Sequence, residues 1–195
     1  LADGKSFDLV WNGTDAAHRW NEVKSNQNWL NGSADEAFMN LDYAKFTNAA
    51  QTNQVEIVDA NGVAQDVIVA GMLVNGGEYT FSGGAITGVK PQANGQTSTG
   101  KLEIVNSGTK ATFENSISFV EGMEIGSGAA AVLYNNGNNA KGAFADDMTV
   151  TNSGTLEFNV DGSAAYTQSG TLKGDGNVVK SGTGSLVMAG TGSTA

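Results

Sequence analysis

From Gln54 onward, apolar and polar residues alternate in short runs broken by glycine and asparagine. A period of two sends alternate side chains to opposite faces of a strand. The pattern predicts strands at 54–58, 66–74, 78–81, 101–105, 110–113 and 117–120. It predicts further strands at 130–134, 148–150, 155–160, 171–173, 177–180 and 185–188. Between them lie Asn75-Gly76-Gly77, Ser82-Gly83-Gly84, Asn135–Asn139 and Asp161-Gly162, turn residues that tolerate positive φ. Only 34–38 and 141–147 have the composition of a helical turn.

Each run is too short to bury a core alone, so stability must come from stacking on neighbours. Sub-repeats support this. Asn106-Ser107-Gly108-Thr109 returns as Asn152-Ser153-Gly154-Thr155. An apolar–Glu–apolar triplet occurs at Val55-Glu56-Ile57, Leu102-Glu103-Ile104, Met123-Glu124-Ile125 and Leu156-Glu157-Phe158. Its flanking residues belong inside and its glutamate outside. The steps from Glu103 to Glu124 and on to Asp147 suit one turn of a parallel β-helix, so all three are expected to stack on one face. The predicted fold is all-β, a right-handed parallel β-helix. A β-sandwich is the alternative, but it would show more regular hairpins.

The first 46 residues differ. They hold seven of the fifteen aromatic residues, including Trp11, Trp20 and Trp29, with the only histidine, His18, and the only arginine, Arg19. A solenoid end exposes unpaired backbone and an open core, and must be capped. Residues 1–50 are therefore assigned to an aromatic-rich cap and 51–195 to rungs.

Composition narrows the function. The 195 residues include 27 Gly, one Pro and no Cys, with a net charge of −10. Ten basic side chains, scattered along the chain, exclude a nucleic-acid partner. With no cysteine and one histidine, cysteine nucleophiles and histidine-rich metal sites are excluded. No Gly-x-Ser-x-Gly elbow accompanies His18, which is read as a cap residue. No acidic pair is singled out for glycoside hydrolysis. Catalytic and cofactor-binding residues are assigned as none. Asp146, Asp147, Glu103 and Glu124 are the weak candidates for a Ca²⁺ site; solvated carboxylates are the preferred reading. Trp11, Trp20 and Trp29 are the weak candidates for stacking on sugar rings; burial in the cap is preferred.

The terminal run Leu172-Lys173-Gly174-Asp175-Gly176-Asn177-Val178-Val179-Lys180-Ser181-Gly182-Thr183-Gly184-Ser185-Leu186-Val187-Met188-Ala189-Gly190 resembles the passenger-associated repeat of bacterial autotransporters. In that repeat a Gly-x-Gly turn and a strand precede Lys-x-Gly-x-Gly and a Leu-x-x-x-Gly strand. Trp11-Asn12-Gly13, Trp20-Asn21 and Asn28-Trp29-Leu30 look like the start of such passengers. The resemblance covers these two segments; the middle shares only texture. It implies an exported protein at the bacterial cell surface and outer membrane, a non-catalytic stalk or adhesin. It also implies a β-barrel translocator downstream, with the chain stopping inside a repeat at Gly190–Ala195. Expected partners are surface glycans or proteins of host or bacterium, and further copies of the chain. Two alternatives stand beside it: a carbohydrate-active β-helix enzyme, and a self-assembling surface-layer or filament subunit.

Overall fold

The structure is a computed structural model that describes residues 6–14, 17–91 and 97–190. Its strands are short because glycines and asparagines interrupt every apolar run. β1 (Asp8–Trp11) and β2 (Arg19–Trp20) come first, then the hairpin β3 (Trp29–Asn31) and β4 (Ala34–Glu36). Strands then arrive in threes. β5 (Tyr43–Phe46), β6 (Gln54–Ile57) and β7 (Val67–Val69) form the first triplet. β8 (Gly71–Val74), β9 (Glu78–Gly83) and β10 (Ile86–Gly88) follow. Next are β11 (Leu102–Ile104), β12 (Lys110–Phe113) and β13 (Ser116–Phe119). β14 (Met123–Ile125), β15 (Ala130–Asn135) and β16 (Ala143–Phe144) form the fourth. β17 (Val150–Asn152), β18 (Thr155–Val160) and β19 (Ala165–Gln168) form the fifth. β20 (Leu172–Lys173), β21 (Asn177–Ser181) and β22 (Ser185–Met188) form the last.

From β5 onward, pairing joins strands three apart in sequence. One sheet runs β20-β17-β14-β11-β8-β5-β1-β3-β4, a second β2-β6-β9-β12-β15-β18-β21, a third β16-β13-β10-β7, and β19 pairs with β22. All these ladders are parallel except β1–β3 and β3–β4. This is a parallel β-helix with three faces per rung. The sandwich alternative is excluded, because its sheets would be antiparallel.

In-register stacking converts sequence alternation into continuous inner columns. Leu9, Ala44, Met72, Leu102, Met123, Val150 and Leu172 follow one another on the first sheet. On the second, Val55, Phe81, Phe113, Leu133 and Phe158 do the same. The inner column of the third is Val67, Ile86, Ile117 and Phe144. Gly88 lies in register between Val69 and Phe119. A methyl group there would come within 2.8 Å of Phe119 Cγ, so glycine makes room for the ring.

Several sequence expectations are corrected. Residues 66–74 form two strands, β7 and β8, with a corner at Ala70-Gly71, where Gly71 has φ 149°. Neither 34–38 nor 141–147 holds a helical turn. β4 lies in the first, its hairpin turned by Gly32 at φ 64°, and β16 in the second. β16 is held by the preceding rung: Ala143 N–H donates to Asn115 O (3.3 Å) and Ala145 N–H to Ile117 O (3.0 Å). β10 and β19 were not expected as strands. Parallel pairing also begins at β1, inside the segment assigned to the cap. The departures from the repeat near this end are the β3–β4 hairpin and its flanking loops.

Candidate functional site

The three tryptophans converge on one cluster. Trp11, Trp20 and Trp29 are at most 1% exposed. Trp20 meets Trp29 edge-on at 5.1 Å and Phe38 at 5.2 Å; Trp11 meets Trp29 at 5.2 Å. Phe46 continues the cluster to Phe81 (4.9 Å), which stacks on Phe113 (5.3 Å). Edge-to-face pairs add about 0.5–1.5 kcal/mol each beyond burial. These rings seal the end of the core. Their faces are taken by one another, so none of the three tryptophans is available to a sugar, and that candidate role is withdrawn.

The acidic ladder holds two of the three expected residues. Glu103 lies in register with Glu124 on the outer face of the first sheet, but the next position is Thr151. Asp147 and Asp146 are exposed in the turn before β17, closed by Met148 N–H donating to Ala145 O (3.0 Å). The rung from β14 to β17 is longer than the one before it, which moves Asp147 off the strand. Lys101 Nζ sits 3.1 Å from Glu124 Oε2. Farther along, Lys45 Nζ lies 3.1 Å from Asp8 Oδ2 and 5.6 Å from the Tyr43 ring centre. Burial and the Glu103 carboxylate push the Tyr43 hydroxyl up to about 12, against a hydrogen bond from Thr99. Among the described residues no group of three or more His, Asp or Glu side chains could hold a metal ion. On this strip Lys45 faces Asp8 and Lys101 faces Glu124.

Thr97 reaches this strip from a loop far along the chain. Its N–H and hydroxyl donate to Asp8 Oδ1 (2.9 Å) and Oδ2 (2.6 Å). Partial burial pushes the Asp8 carboxyl up, but these bonds and Lys45 outweigh it and hold it below its usual value. No local pattern announces a contact between residues 89 positions apart.

A polar cleft of about 400 Å³ opens beside β2, lined by residues including Thr14, Arg19, Asn26, Gln27 and Asp35. Its wall is an amide network. Asn28 Nδ2 donates to Arg19 O (2.7 Å) and to Asn26 Oδ1 (2.7 Å). Asn26 Nδ2 donates to Arg19 O and to Asn21 Oδ1, and Asn21 Nδ2 to Val58 O, each at 3.0 Å. The asparagines near the tryptophans read as turn formers in the sequence; here they also occupy strand-edge carbonyls. His18, at φ 55°, lies beside this network with Nδ1 buried and unpaired.

Asp42 is the most perturbed carboxyl. Its oxygens accept from Phe7 N–H (2.7 Å) and Met39 N–H (2.8 Å). Burial nevertheless raises it to about 6, with Glu36 and Glu22 adding to the shift. Sequence alone does not mark it, because its burial comes from chain segments on either side of the hairpin.

No family model matches the chain, and no curated protein or solved structure matches it.

Proposed function

We propose that the chain is a segment of an exported bacterial surface protein whose solenoid serves as a non-catalytic stalk and adhesive surface. The observation that carries this reading is the register. Six successive triplets of strands stack in register, continuously on two faces and with one break, between β16 and β19, on the third. Such stacking gives a stiff element whose outer columns are free to vary. The outer positions are accordingly mixed, as in Lys45, Leu73, Glu103, Glu124, Thr151 and Lys173 on one sheet. The terminal repeat and the aromatic start, both similar to autotransporter passengers, supply the cell-surface part of the reading. Surface glycans or proteins are its proposed partners.

Glycoside hydrolysis needs two carboxylates facing each other across the sugar. The cleft beside β2 is lined by one acidic residue among those described, Asp35. No observation favours the enzyme reading over the stalk.

The test is antibody labelling of intact producing cells, with protease shaving. Labelling before permeabilisation, removed by external protease, is the expected result. Signal only after lysis would overturn the proposal.

A further inference from the structure

An Asn-Gly pair is prone to cyclise, because glycine has no side chain to keep its backbone nitrogen away from the asparagine amide carbon. The sequence holds six such pairs: Asn12-Gly13, Asn31-Gly32, Asn61-Gly62, Asn75-Gly76, Asn94-Gly95 and Asn136-Gly137. Asn94-Gly95 lies outside the described residues. At four of the other five, the fold holds the glycine nitrogen or packs around it. Gly13 is buried and its N–H donates to Asn28 O (3.1 Å). Gly62 N–H donates to Asp59 O (3.1 Å), and Gly137 N–H to Asn135 Oδ1 (2.9 Å). Gly76 is buried so closely that a methyl group there would lie 2.7 Å from Asn48 Cγ, and Asn75 O accepts from Asn106 Nδ2 (2.9 Å).

Asn31-Gly32 is the exception. It stands at the two-residue turn of the β3–β4 hairpin, where Asn31 pairs with Ala34. Gly32 has φ 64° and Ser33 is not left-handed, the pattern of a type II′ turn. Asn31, Gly32 and Ser33 are all exposed. Beyond its chain neighbours, no atom lies within 4 Å of where a Gly32 side chain would begin. Among the described residues nothing accepts the Gly32 N–H, and nothing bonds the Asn31 side-chain amide. Nucleophile and electrophile are therefore adjacent, solvated and unoccupied at this turn alone among the five described pairs.

We propose that Asn31 is a self-modification site of the folded chain, a succinimide-forming asparagine whose one co-reactant is water. The Gly32 nitrogen gives its proton to solvent base and bonds to Asn31 Cγ. The bond from Cγ to Nδ2 breaks, and the amide nitrogen takes a proton and leaves as ammonia. Water then opens the ring by adding to one of its two carbonyl carbons, and the bond from that carbon to the Gly32 nitrogen breaks. Addition at the main-chain carbon leaves aspartate's side-chain carbonyl in the peptide link, which is isoaspartate; addition at Cγ leaves ordinary aspartate. Isoaspartate puts one extra methylene into the main chain at the last pair of the hairpin. β3 and β4 match Trp29 with Glu36, Leu30 with Asp35 and Asn31 with Ala34, and a longer turn cannot keep all three pairs in step. β3 is also held by β1, through Val10–Leu30 and Trp11–Trp29, so the loosening falls on β4. This inference rests on the fold and not on the stalk reading.

Ageing the chain in mildly alkaline buffer, followed by peptide mapping with electron-transfer fragmentation, tests it. The product carries the mass of ammonia exchanged for water, and the fragments separate isoaspartate from aspartate. In the folded chain Asn31 is expected to convert severalfold faster than Asn12, Asn61, Asn75 or Asn136. The same chain aged in urea should lose most of that difference, because the four guarded pairs are then released. Amide hydrogen exchange across β4 is expected to speed up in the converted fraction, while exchange at Leu9 and Trp11 in β1 stays slow. Asn31→Gln should stop the conversion and keep the fresh exchange pattern through the same ageing. Conversion of any of the four guarded asparagines as fast as Asn31 in the folded chain would overturn the proposal. So would an Asn31 that stays intact while the urea-treated chain converts. Fresh-like exchange across β4 after conversion to isoaspartate would overturn the loosening of the hairpin.

Discussion

Gly88→Ala isolates what close stacking of the rungs demands. Gly88 is buried, its backbone is not left-handed, and in an open site the change would stabilise by about 0.4–1 kcal/mol through the unfolded chain. Here the new methyl would overlap the Phe119 ring, at 2.8 Å from Cγ and closer to the ring edge. Phe119 is itself 3% exposed and cannot swing clear into solvent without uncovering the core. Overpacking of this kind costs about 1–3 kcal/mol, which outweighs the entropic gain. Phe119→Ala alone leaves a cavity costing about 3–5 kcal/mol. In the double variant the methyl enters vacated space, so its cost should vanish and the two changes should fall short of additive by about 1–3 kcal/mol. Urea denaturation of the four proteins, checked for a constant slope, measures the cycle. A stabilising or neutral Gly88→Ala, or strict additivity, would refute the argument that the Phe119 ring fills the space glycine leaves.

Asp42 predicts an acid-side gain in stability. Its folded value of about 6 lies above the ordinary 3.8, so the folded chain holds the proton more tightly. This contribution is complete below 3.8 and is lost as pH rises through 6. Tm should therefore climb as pH is lowered from about 7 to about 4, and Asp42→Ala should flatten the slope. Below 3.8 Asp8 acts in the opposite sense, because its carboxyl is held low and its contribution goes as it is protonated. Lys101→Ala leaves Glu103 and Glu124 adjacent and uncompensated; a loss of about 0.2–1 kcal/mol that shrinks with added salt is expected in thermal melts. Asn152→Ala removes the acceptor for Gly154 N–H (3.0 Å) and the donor to Asn177 O (2.9 Å). About 1–3 kcal/mol per group left unpaired is expected, with faster amide exchange at Gly154.

Much of this protein follows from local chemistry. The apolar–Glu–apolar triplets at 102–104, 123–125 and 156–158 became strands with glutamate outside, because a two-residue period has one way to bury its apolar side. The aromatic start became a buried plug for the same reason: six of its seven large rings, all but the exposed Phe7, are buried near one end of a chain poor in aromatics. What the sequence did not determine depends on how long each rung is. Loop length sets which residues stand in register, and it carried Glu124 onto Glu103 but Thr151, not Asp147, onto Glu124. It also formed β10, β16 and β19 from segments with weak signals, since a waiting parallel edge supplies the hydrogen bonds that local propensity does not. The raised Asp42 carboxyl and the Asp8–Thr97 tie belong to the tertiary structure alone. Each arises from groups brought together across many residues, and burial and pairing are properties of that assembly rather than of any one segment.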